Sequence, residues 1–283
     1  LLQLDYDNLE VILIDNHSTD GSADVIDRYV LENKNNSQNI KFVKLEKNFG
    51  PSGAMNIGNS IGNPSAQYLA FTHNDLIPKS DYLTKTVTFL EKHKEVGAVQ
   101  GIVVKLDDES VVDSYGFMMN EALGTYAAYS GPVEKVCKPT YVTFIEGSIP
   151  VFNLNAVKST FGNNELYVTA GFMYYLEDAF VSLKLWASGF KCVVLPVIVG
   201  SHYRMGTSNK VAKKQDLFHY FLRNRIALLF MTNSASKLGF ITQNIRKLVF
   251  SKRTTAQRKA ILVSLIEGIQ LGRQLRKKDG SID

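Results

Sequence analysis

The sequence predicts an α/β fold, with a mostly parallel sheet flanked by helices and a basic helical tail at the C-terminus. Two observations lead to this prediction. Up to about residue 105, short apolar runs rich in β-branched residues alternate with segments of helical spacing, which is typical of doubly wound sheets. Beyond about residue 210, apolar residues recur only at helical spacing, with lysine and arginine between them.

The first apolar run is the most informative one. Residues 11–14, Val-Ile-Leu-Ile, have the composition of a fully buried parallel strand. The run ends at Asp15 and Asn16, and Ser18 lies in the turn before a predicted helix over 23–30. Ligands of open α/β sheets bind outside the carboxyl ends of strands, so Asp15 and Asn16 are suited to a nucleotide base or ribose. An ordinary capped turn is the alternative interpretation.

The same alternation continues along the chain. Residues 106–145 are less regular, and we expect them to form strands and loops that cover a pocket. The other predicted strands are 40–45, 68–72, 98–105, 147–153, 191–195 and 197–201; the other predicted helices are 54–61, one capped by Ser80 that runs to about 93, a short one capped by Asn155, and 174–188.

Charge divides the chain into two parts. Residues 210–283 hold 16 lysines and arginines against 4 acidic residues, whereas residues 1–209 hold 16 against 23. At 283 residues and 45 % hydrophobic composition, the chain can bury the core of one large α/β domain. No apolar run reaches the roughly 18 residues of a transmembrane helix, and no signal peptide is visible. We therefore predict a domain over 1–209 and a basic amphipathic region over 210–283.

Two polar segments of the first half carry groups suited to phosphate and metal. Asn48, Gly50 and Asn56 lie in a glycine-rich segment that leads into a helix, and a helix N-terminus favours phosphate. An ordinary loop is the alternative there. After the third strand come His73, Asn74 and Asp75, of which Asp75 offers a carboxylate to a divalent cation. For His73 we favour a packing or solvent-facing role.

Three segments of the second half are also candidates. Glu177 and Asp178 lie on a predicted helix, where a carboxylate can act as a general base or simply complement the helix dipole. His202 follows a predicted strand and can ligate a metal or be structural. In Tyr220-Phe-Leu-Arg-Asn-Arg225, Arg223 and Arg225 can bind phosphate, and a solvated basic face is the alternative.

In this order the five segments resemble the motifs of glycosyltransferase family 2, and in particular its rhamnosyltransferase-like members. The resemblance covers about residues 1–230 and implies the nucleotide-diphospho-sugar transferase (GT-A, Rossmann-like) fold. It also implies sugar transfer with inversion from a nucleotide-diphospho-sugar to a hydroxyl acceptor. The departures from the family pattern include His73, which replaces the first Asp of an Asp-x-Asp motif, Phe180, which replaces a second acid, and Lys184, which replaces a usual Arg.

The resemblance also implies roles for individual residues. Asp178 would be the catalytic base with Glu177 in support, and Asp75 and His202 would hold Mn²⁺ or Mg²⁺. The implied nucleotide-sugar-binding residues are Asp15, Asn16, Ser18, Asn48, Gly50, Asn56, Asn74, Arg223 and Arg225. Family members normally begin with a further strand and helix, so we expect the present sequence to lack them.

The basic C-terminal region has the pattern of helices that lie on an anionic membrane surface. Packing on the catalytic domain and pairing with another subunit are the alternatives, and we expect no nucleic-acid partner. The family suggests a glycan or lipid-linked acceptor, in polysaccharide, lipid-linked oligosaccharide or glycoprotein glycan synthesis. We accordingly expect a cytoplasmic protein, peripheral on the inner face of the cell membrane.

Two other functions stay open at this point. A nucleotidyltransferase would use a related α/β sheet, although it would need a basic glycine-rich loop after its first strand. A catalytically degenerate, membrane-associated partner subunit is favoured by His73 and Phe180. The sequence does not identify the donor sugar or its base.

Overall fold

The fold is that of a computed structural model, and the residues described are 1, 3–32, 40–162, 166, 174–203, 214–250, 252 and 254–282, with backbone alone over 214–217. The strands are β1 (Val11–Asp15), β2 (Ile40–Lys44), β3 (Tyr68–Ala70), β4 (Leu76–Pro78), β5 (Val96–Lys105), β6 (Val112–Ser114), β7 (Phe117–Met119), β8 (Thr125–Ala127), β9 (Thr140–Tyr141), β10 (Val151–Asn153) and β11 (Lys191–His202). The helices are α1 (Ser22–Glu32), α2 (Gly50–Ile61), α3 (Tyr82–Lys92), α4 (Leu154–Phe161), α5 (Glu177–Ala187), α6 (Lys214–Met231), α7 (Lys237–Phe250) and α8 (Thr255–Asp279), with a 3-10 turn at Val133–Lys135.

A seven-stranded sheet forms the centre of the protein, with the order β3-β10-β5-β11-β4 and with β6 and β9 paired to β5 and β11. The predicted α/β class is confirmed, but the strand directions are mixed. β5 and β11 run parallel, whereas β10 is antiparallel to both of its neighbours. The reason is that residues 106–145 form short strands instead of a crossover helix, and a parallel pair needs such a crossover.

The first strand is less buried than its composition predicts. β1 pairs with β2 in a separate two-stranded parallel sheet, and residues 11–14 are only partly buried, whereas Asp15 is buried. β2 is its one hydrogen-bonded neighbour among the residues described. Helix α2 covers one face of β1 closely, since a Cβ atom on Gly58 would lie 3.0 Å from the Ile14 side chain.

Several predicted boundaries were wrong. The two strands expected over 191–195 and 197–201 are one strand, β11, whose pairing with β5 shifts register around Pro196, a residue without an N–H for the ladder. Asn153 caps α4 in place of Asn155, because its side chain accepts hydrogen bonds from the first backbone amides. Helix α3 begins after Asp81, not after Ser80.

Strand β5 is the core of the sheet. All of its residues except Lys105 are buried, and apolar clusters pack on both of its faces. Gly101 is required at its position, since a Cβ atom there would lie 2.3 Å from Val199 on β11. This close approach holds the two parallel strands together beside the end of β11, where a predicted site residue lies.

The C-terminal helices pack on the rest of the chain. Leu228 and Leu229 of α6 are fully buried in the same apolar cluster as Phe152 and Phe180. Helix α8 crosses α6 closely at a Gly-x-x-x-Gly pair. Part of the basic region therefore packs on the central α/β part of the chain, which is one of the three alternatives predicted for it. The pair is Gly268 and Gly272, whose added Cβ atoms would lie 2.7 Å from the carbonyl oxygens of Arg223 and Ala227.

We predict that Gly272→Ala lowers the free energy of unfolding by about 1–3 kcal/mol, because the new methyl group forces α8 away from α6. Gly239→Ala in α7 is the matched control, since a Cβ atom there meets nothing within 4 Å. It should leave stability unchanged or raise it by up to about 1 kcal/mol. Urea unfolding of both variants tests this, and equal effects would contradict the close crossing.

Candidate functional site

The end of β1 and the start of α2 bring one group of predicted residues together. The buried carboxylate of Asp15 accepts a hydrogen bond from the Ser18 amide at 3.1 Å. The side chain of Asn16 spans the gap to the next loop: its Nδ2 donates to the Gly50 carbonyl at 3.0 Å and its Oδ1 accepts from the Phe49 amide at 2.9 Å. Asn16 therefore fixes the relative positions of these two loops.

The loop that enters α2 is shaped by Asn48 and Gly50. Asn48 Oδ1 accepts a hydrogen bond from the Gly50 amide at 2.8 Å, and Gly50 has φ +72°, a conformation that glycine adopts without strain. The N-cap residue of α2, Phe49, makes no side-chain capping hydrogen bond, and Pro51 in the first turn has no N–H. Asn56 is buried further along the same helix. This helix start suits an anion such as a diphosphate.

A second group forms around His202, the last residue of β11. Its Nε2 lies 3.4 Å from Asp75 Oδ1, and its Nδ1 lies 3.0 Å from Asp113 Oδ2. Backbone pairing sets this arrangement, because His202 faces Leu76 on β4 and the Tyr203 amide donates to the Asp75 carbonyl at 2.8 Å. The structure thus brings the two predicted metal ligands together, although they are far apart in the sequence.

Sequence reasoning missed Asp113, which lies on β6 in the segment predicted as irregular. Its side chain is buried with that of His202. The signal in the sequence was a carboxylate within the apolar stretch Val111-Val-Asp-Ser-Tyr115. A carboxylate at Nδ1 fixes the imidazole tautomer and makes Nε2 the better ligand for a metal, an arrangement that recurs in metalloproteins.

The geometry around Asp75 and His202 fits a divalent cation. Asp75 Oδ1 is buried without a hydrogen bond in the part of the chain described, and it faces an imidazole nitrogen at 3.4 Å. Neighbouring ligands of an octahedral cation lie about 3 Å apart. Over the described ranges no three His, Cys, Asp or Glu side chains form a complete metal site. Two protein ligands are nonetheless typical of Mg²⁺-type sites that substrate phosphates and water complete.

His73 lies in this second group, next to the charges of Asp75, Glu146 and His202. Burial lowers its pKa, an effect that the two carboxylates oppose. Its amide donates to the Ser148 carbonyl at 3.0 Å. This partly buried position agrees with the packing role predicted for His73. The groups around it are the candidate site residues Asp75 and His202, together with Glu146. Asn74, between His73 and Asp75, is exposed.

A third group is built on the N-terminus of α5. Asp178 Oδ1 accepts from the Ala179 amide at 2.8 Å, and its Oδ2 accepts from the Gly147 amide at 3.3 Å. Burial raises the pKa of Asp178 well above its ordinary value, with a further increase from Glu146. Burial and the neighbouring Asp178 likewise raise the pKa of Glu177, whose Oε2 makes no hydrogen bond within the described ranges. Such pKa values suit proton transfer near neutral pH.

Helix α5 begins at Glu177, not at residue 174 as the sequence predicts. The physical reason is the backbone at Tyr175 and Leu176, which have φ +67° and +66° and cannot continue a right-handed helix. Two consecutive left-handed non-glycine residues directly before Glu177 and Asp178 are a local strain of the kind found at functional sites.

One short segment, residues 146–148, contacts both the second and the third group. The Gly147 amide bonds Asp178, the Ser148 carbonyl bonds the His73 amide, and the charge of Glu146 acts on both His73 and Asp178. Glu146 is itself held at its amide by the buried Gln100 on β5, at 2.8 Å. Residues 146–148 therefore connect the two predicted cation ligands with the carboxylate whose pKa is raised.

The structure gives Arg223 and Arg225 partners within the protein. Arg225 donates through Nε and Nη2 to the Ala122 carbonyl at 3.0 and 2.8 Å, and its guanidinium stacks on Phe240. Arg223 lies over the Tyr220 ring. Their binding to phosphate stays a prediction.

Known proteins that resemble this chain are glycosyltransferases. Residues 1–158 match the family described as "Glycosyl transferase family 2". Two uncharacterized glycosyltransferases of Haemophilus influenzae are 34 % and 33 % identical over 94 and 89 residues, which are 33 % and 31 % of this chain. The matched segments span only 27 % and 33 % of those relatives.

Solved structures show the same fold. The crystal structure of GalNAc-T7 with UDP, GalNAc and Mn²⁺ superposes with a TM-score of 0.64 and 14 % identity, over 96 % of this chain and 52 % of that one. The mannosyltransferase PcManGT from Pyrobaculum calidifontis, in complex with GDP-Man and Mn²⁺, gives 0.50 and 16 %, over 99 % and 69 %. The fold is thus that of the GT-A glycosyltransferases, and the match over more than half of its length shows that this chain belongs to glycosyl transferase family 2.

Proposed function

We propose that this chain is a metal-dependent, inverting glycosyltransferase that moves a sugar from a nucleotide-diphospho-sugar to a hydroxyl acceptor. The observation that carries the proposal is the continuous site, in which residues 146–148 connect Asp75 and His202 with Asp178. Family membership and two similar structures with Mn²⁺ and a nucleotide or nucleotide-sugar support it. A rhamnosyltransferase-like activity is the finer form of the proposal.

Asp75 and His202 would hold the cation, which when bound offsets the charge of the diphosphate leaving group. A histidine ligand favours Mn²⁺ over Mg²⁺. Asp113 accepts the Nδ1 proton of His202 and so directs the Nε2 lone pair towards Asp75. Mutual alignment of these groups is fixed by the pairing of β11 with β4.

The nucleotide would lie between the end of β1 and the start of α2. Asp15 and Ser18 face the base and ribose in this proposal, and the α2 amides contact the diphosphate. Asn16, Asn48 and Gly50 hold the loops at the spacing that the nucleotide requires. Asn56, Asn74, Arg223 and Arg225 are proposed as further contacts of the donor.

Asp178 would accept the proton of the acceptor hydroxyl as the oxygen attacks the anomeric carbon. The attack occurs from the face opposite to the leaving diphosphate, so a single displacement inverts the configuration. A raised pKa makes the carboxylate a stronger base than an ordinary aspartate, which is what a hydroxyl of low acidity needs. Glu177 supports this role, because its own proton reduces repulsion beside Asp178.

The acceptor would be a glycan or a lipid-linked saccharide, reached at the inner face of the cell membrane. The support is the outer surface of α7 and α8, where exposed apolar side chains lie among exposed arginines and lysines. The charge suits anionic lipid, and each basic residue near such a surface adds about 1 kcal/mol. No described helix is long and apolar enough to cross a membrane. The exposed residues are Leu238, Ile245, Arg246, Val249, Phe250, Arg258, Lys259, Leu262 and Ile266.

Metal-dependent nucleotide binding tests the donor site. Calorimetry with UDP, GDP and dTDP, with and without Mn²⁺, should show one nucleotide that binds more tightly with the metal. Asp75→Asn should abolish the metal-dependent increment, and Asp113→Asn should weaken it about 10- to 100-fold. Asp27→Asn, on the exposed part of α1, should leave it unchanged. If no nucleotide binds, the catalytic proposal fails and the degenerate partner subunit replaces it.

Asp178→Asn should abolish transfer and raise stability at the same time. A carboxyl with a raised folded-state pKa binds more protons when folded, so the free energy of unfolding falls as pH rises above about 4. The variant does not lose free energy of unfolding in this way, so it should be more stable than wild type at pH 8 and equal to it near pH 4.

Wild-type kcat/KM should fall as pH decreases through the raised pKa of Asp178, because the base becomes protonated.

Glu95→Gln is the control for this prediction. Glu95 is exposed, and a backbone hydrogen bond and His93 lower its pKa, so the variant should gain no stability at pH 8 and should retain transfer. Thermal unfolding and activity between pH 4 and 8 give both readouts. An active Asp178→Asn variant would exclude Asp178 as the base.

Membrane binding is tested by sedimentation with vesicles of phosphatidylcholine alone or with phosphatidylglycerol. We expect binding only to the anionic vesicles, and at least about a tenfold weakening in Val249→Asp/Phe250→Asp, because two apolar side chains are lost from the contact. Val25→Asp/Leu31→Asp is matched in exposure but lies on α1, and should bind as wild type does. Equal binding of all three proteins would contradict the proposed surface.

A further inference from the structure

Asn224 connects helix α6 to the residues directly before the catalytic carboxylates. Its side chain is fully buried, and its Nδ2 donates to the carbonyl oxygens of both Tyr174 and Tyr175 at 2.8 Å. Its Oδ1 accepts from Arg223 Nε at 3.0 Å. Both donor hydrogens of the amide are thus used on one short stretch of backbone, some fifty residues earlier in the chain.

The backbone that Asn224 holds is the strained one. Tyr175 and Leu176 are both left-handed, a conformation that is unfavourable for residues with a side chain and persists only where the surroundings impose it. The reversal leaves the carbonyls of Tyr174 and Tyr175 directed at α6. Without the Asn224 amide, these two carbonyls would lose the hydrogen bonds that hold them towards α6, which favours a return to ordinary backbone.

Aromatic contacts on the same turn of α6 support the amide. The Tyr174 ring lies 5.7 Å from that of Tyr220, and the Tyr175 ring meets Phe221 edge-on at 6.2 Å. Helix α6 in turn is held by α8 through the close glycine crossing, where a Cβ atom on Gly268 would touch the Arg223 carbonyl. The position of residues 174–175 is therefore set by the C-terminal helices.

We propose that Asn224 is a positioning residue for the general base. It fixes the left-handed pair Tyr175–Leu176, and this pair determines where α5 begins and hence where the carboxylates of Glu177 and Asp178 point. The inference rests on the proposed function. It gives the asparagine of the Arg-Asn-Arg segment a role of its own, separate from the donor contacts proposed for Arg223 and Arg225.

The test compares Asn224→Ala with Asn244→Ala. Asn244 is also buried, and its Nδ2 donates to the Phe240 carbonyl within its own helix. Its replacement therefore removes a side-chain hydrogen bond that does not involve α5. Release of nucleotide from UDP-glucose, UDP-galactose, UDP-N-acetylglucosamine, GDP-mannose and dTDP-rhamnose with Mn²⁺ measures turnover. Hydrogen exchange at the Ala179 and Phe180 amides measures the order of the α5 N-terminus.

In Asn224→Ala we expect kcat to fall about 100-fold with the donor KM unchanged, since a misplaced base costs turnover without affecting donor binding. The acid limb of the pH profile should move to lower pH as Asp178 becomes better solvated, and exchange at Ala179 and Phe180 should accelerate. Asn244→Ala should show the wild-type kcat, pH profile and exchange at these amides, with a comparable loss of stability.

Two results overturn the proposal: equal kcat and pH profiles in the two variants, or unchanged exchange at Ala179 and Phe180 in Asn224→Ala. A wild-type protein that releases no nucleotide contradicts the proposed function instead. In that case the exchange measurement, which needs no activity, still decides whether Asn224 positions α5.

Discussion

The contact of His202 with two carboxylates is the constraint on which the site depends. It joins three strands, since Asp75 precedes β4, Asp113 lies on β6 and His202 ends β11. Two acidic side chains at these positions would repel each other without the imidazole between them. The same contact leaves one nitrogen and one oxygen side by side at 3.4 Å, the pair that we propose holds a cation together with substrate oxygens.

The rest of the site is held at the expense of stability. Burial keeps the pKa values of Glu177 and Asp178 high, and a left-handed pair of residues precedes them. Neither feature favours folding, and each is compensated by a hydrogen bond from a neighbour. The Gly147 amide donates to Asp178, and the Asn224 side chain donates to the carbonyls of Tyr174 and Tyr175. The C-terminal helices thus have two faces, an inner one that supports α5 and an outer one proposed to meet lipid.

Local sequence patterns predicted the α/β class and most elements, because apolar periodicity and turn chemistry are local properties. The choice of candidate site residues came from the resemblance to glycosyltransferase family 2, and their roles stay predictions. Local patterns did not predict the direction of β10 or the partial burial of β1, which depend on which strands become neighbours. Asp113 and Asn224 were missed for the same reason: each acts on a partner about fifty to ninety residues away. The register shift at Pro196 shows how pairing overrides a break that the sequence suggests.

The most direct test of the account is the position of the metal. A crystal of the protein with UDP and MnCl₂, or with GDP where calorimetry selects it, can be measured at the manganese absorption edge. We predict an anomalous peak within ligand distance of Asp75 Oδ1 and His202 Nε2, with diphosphate oxygens as further ligands. A peak elsewhere, or nucleotide bound without manganese between these two side chains, would contradict it.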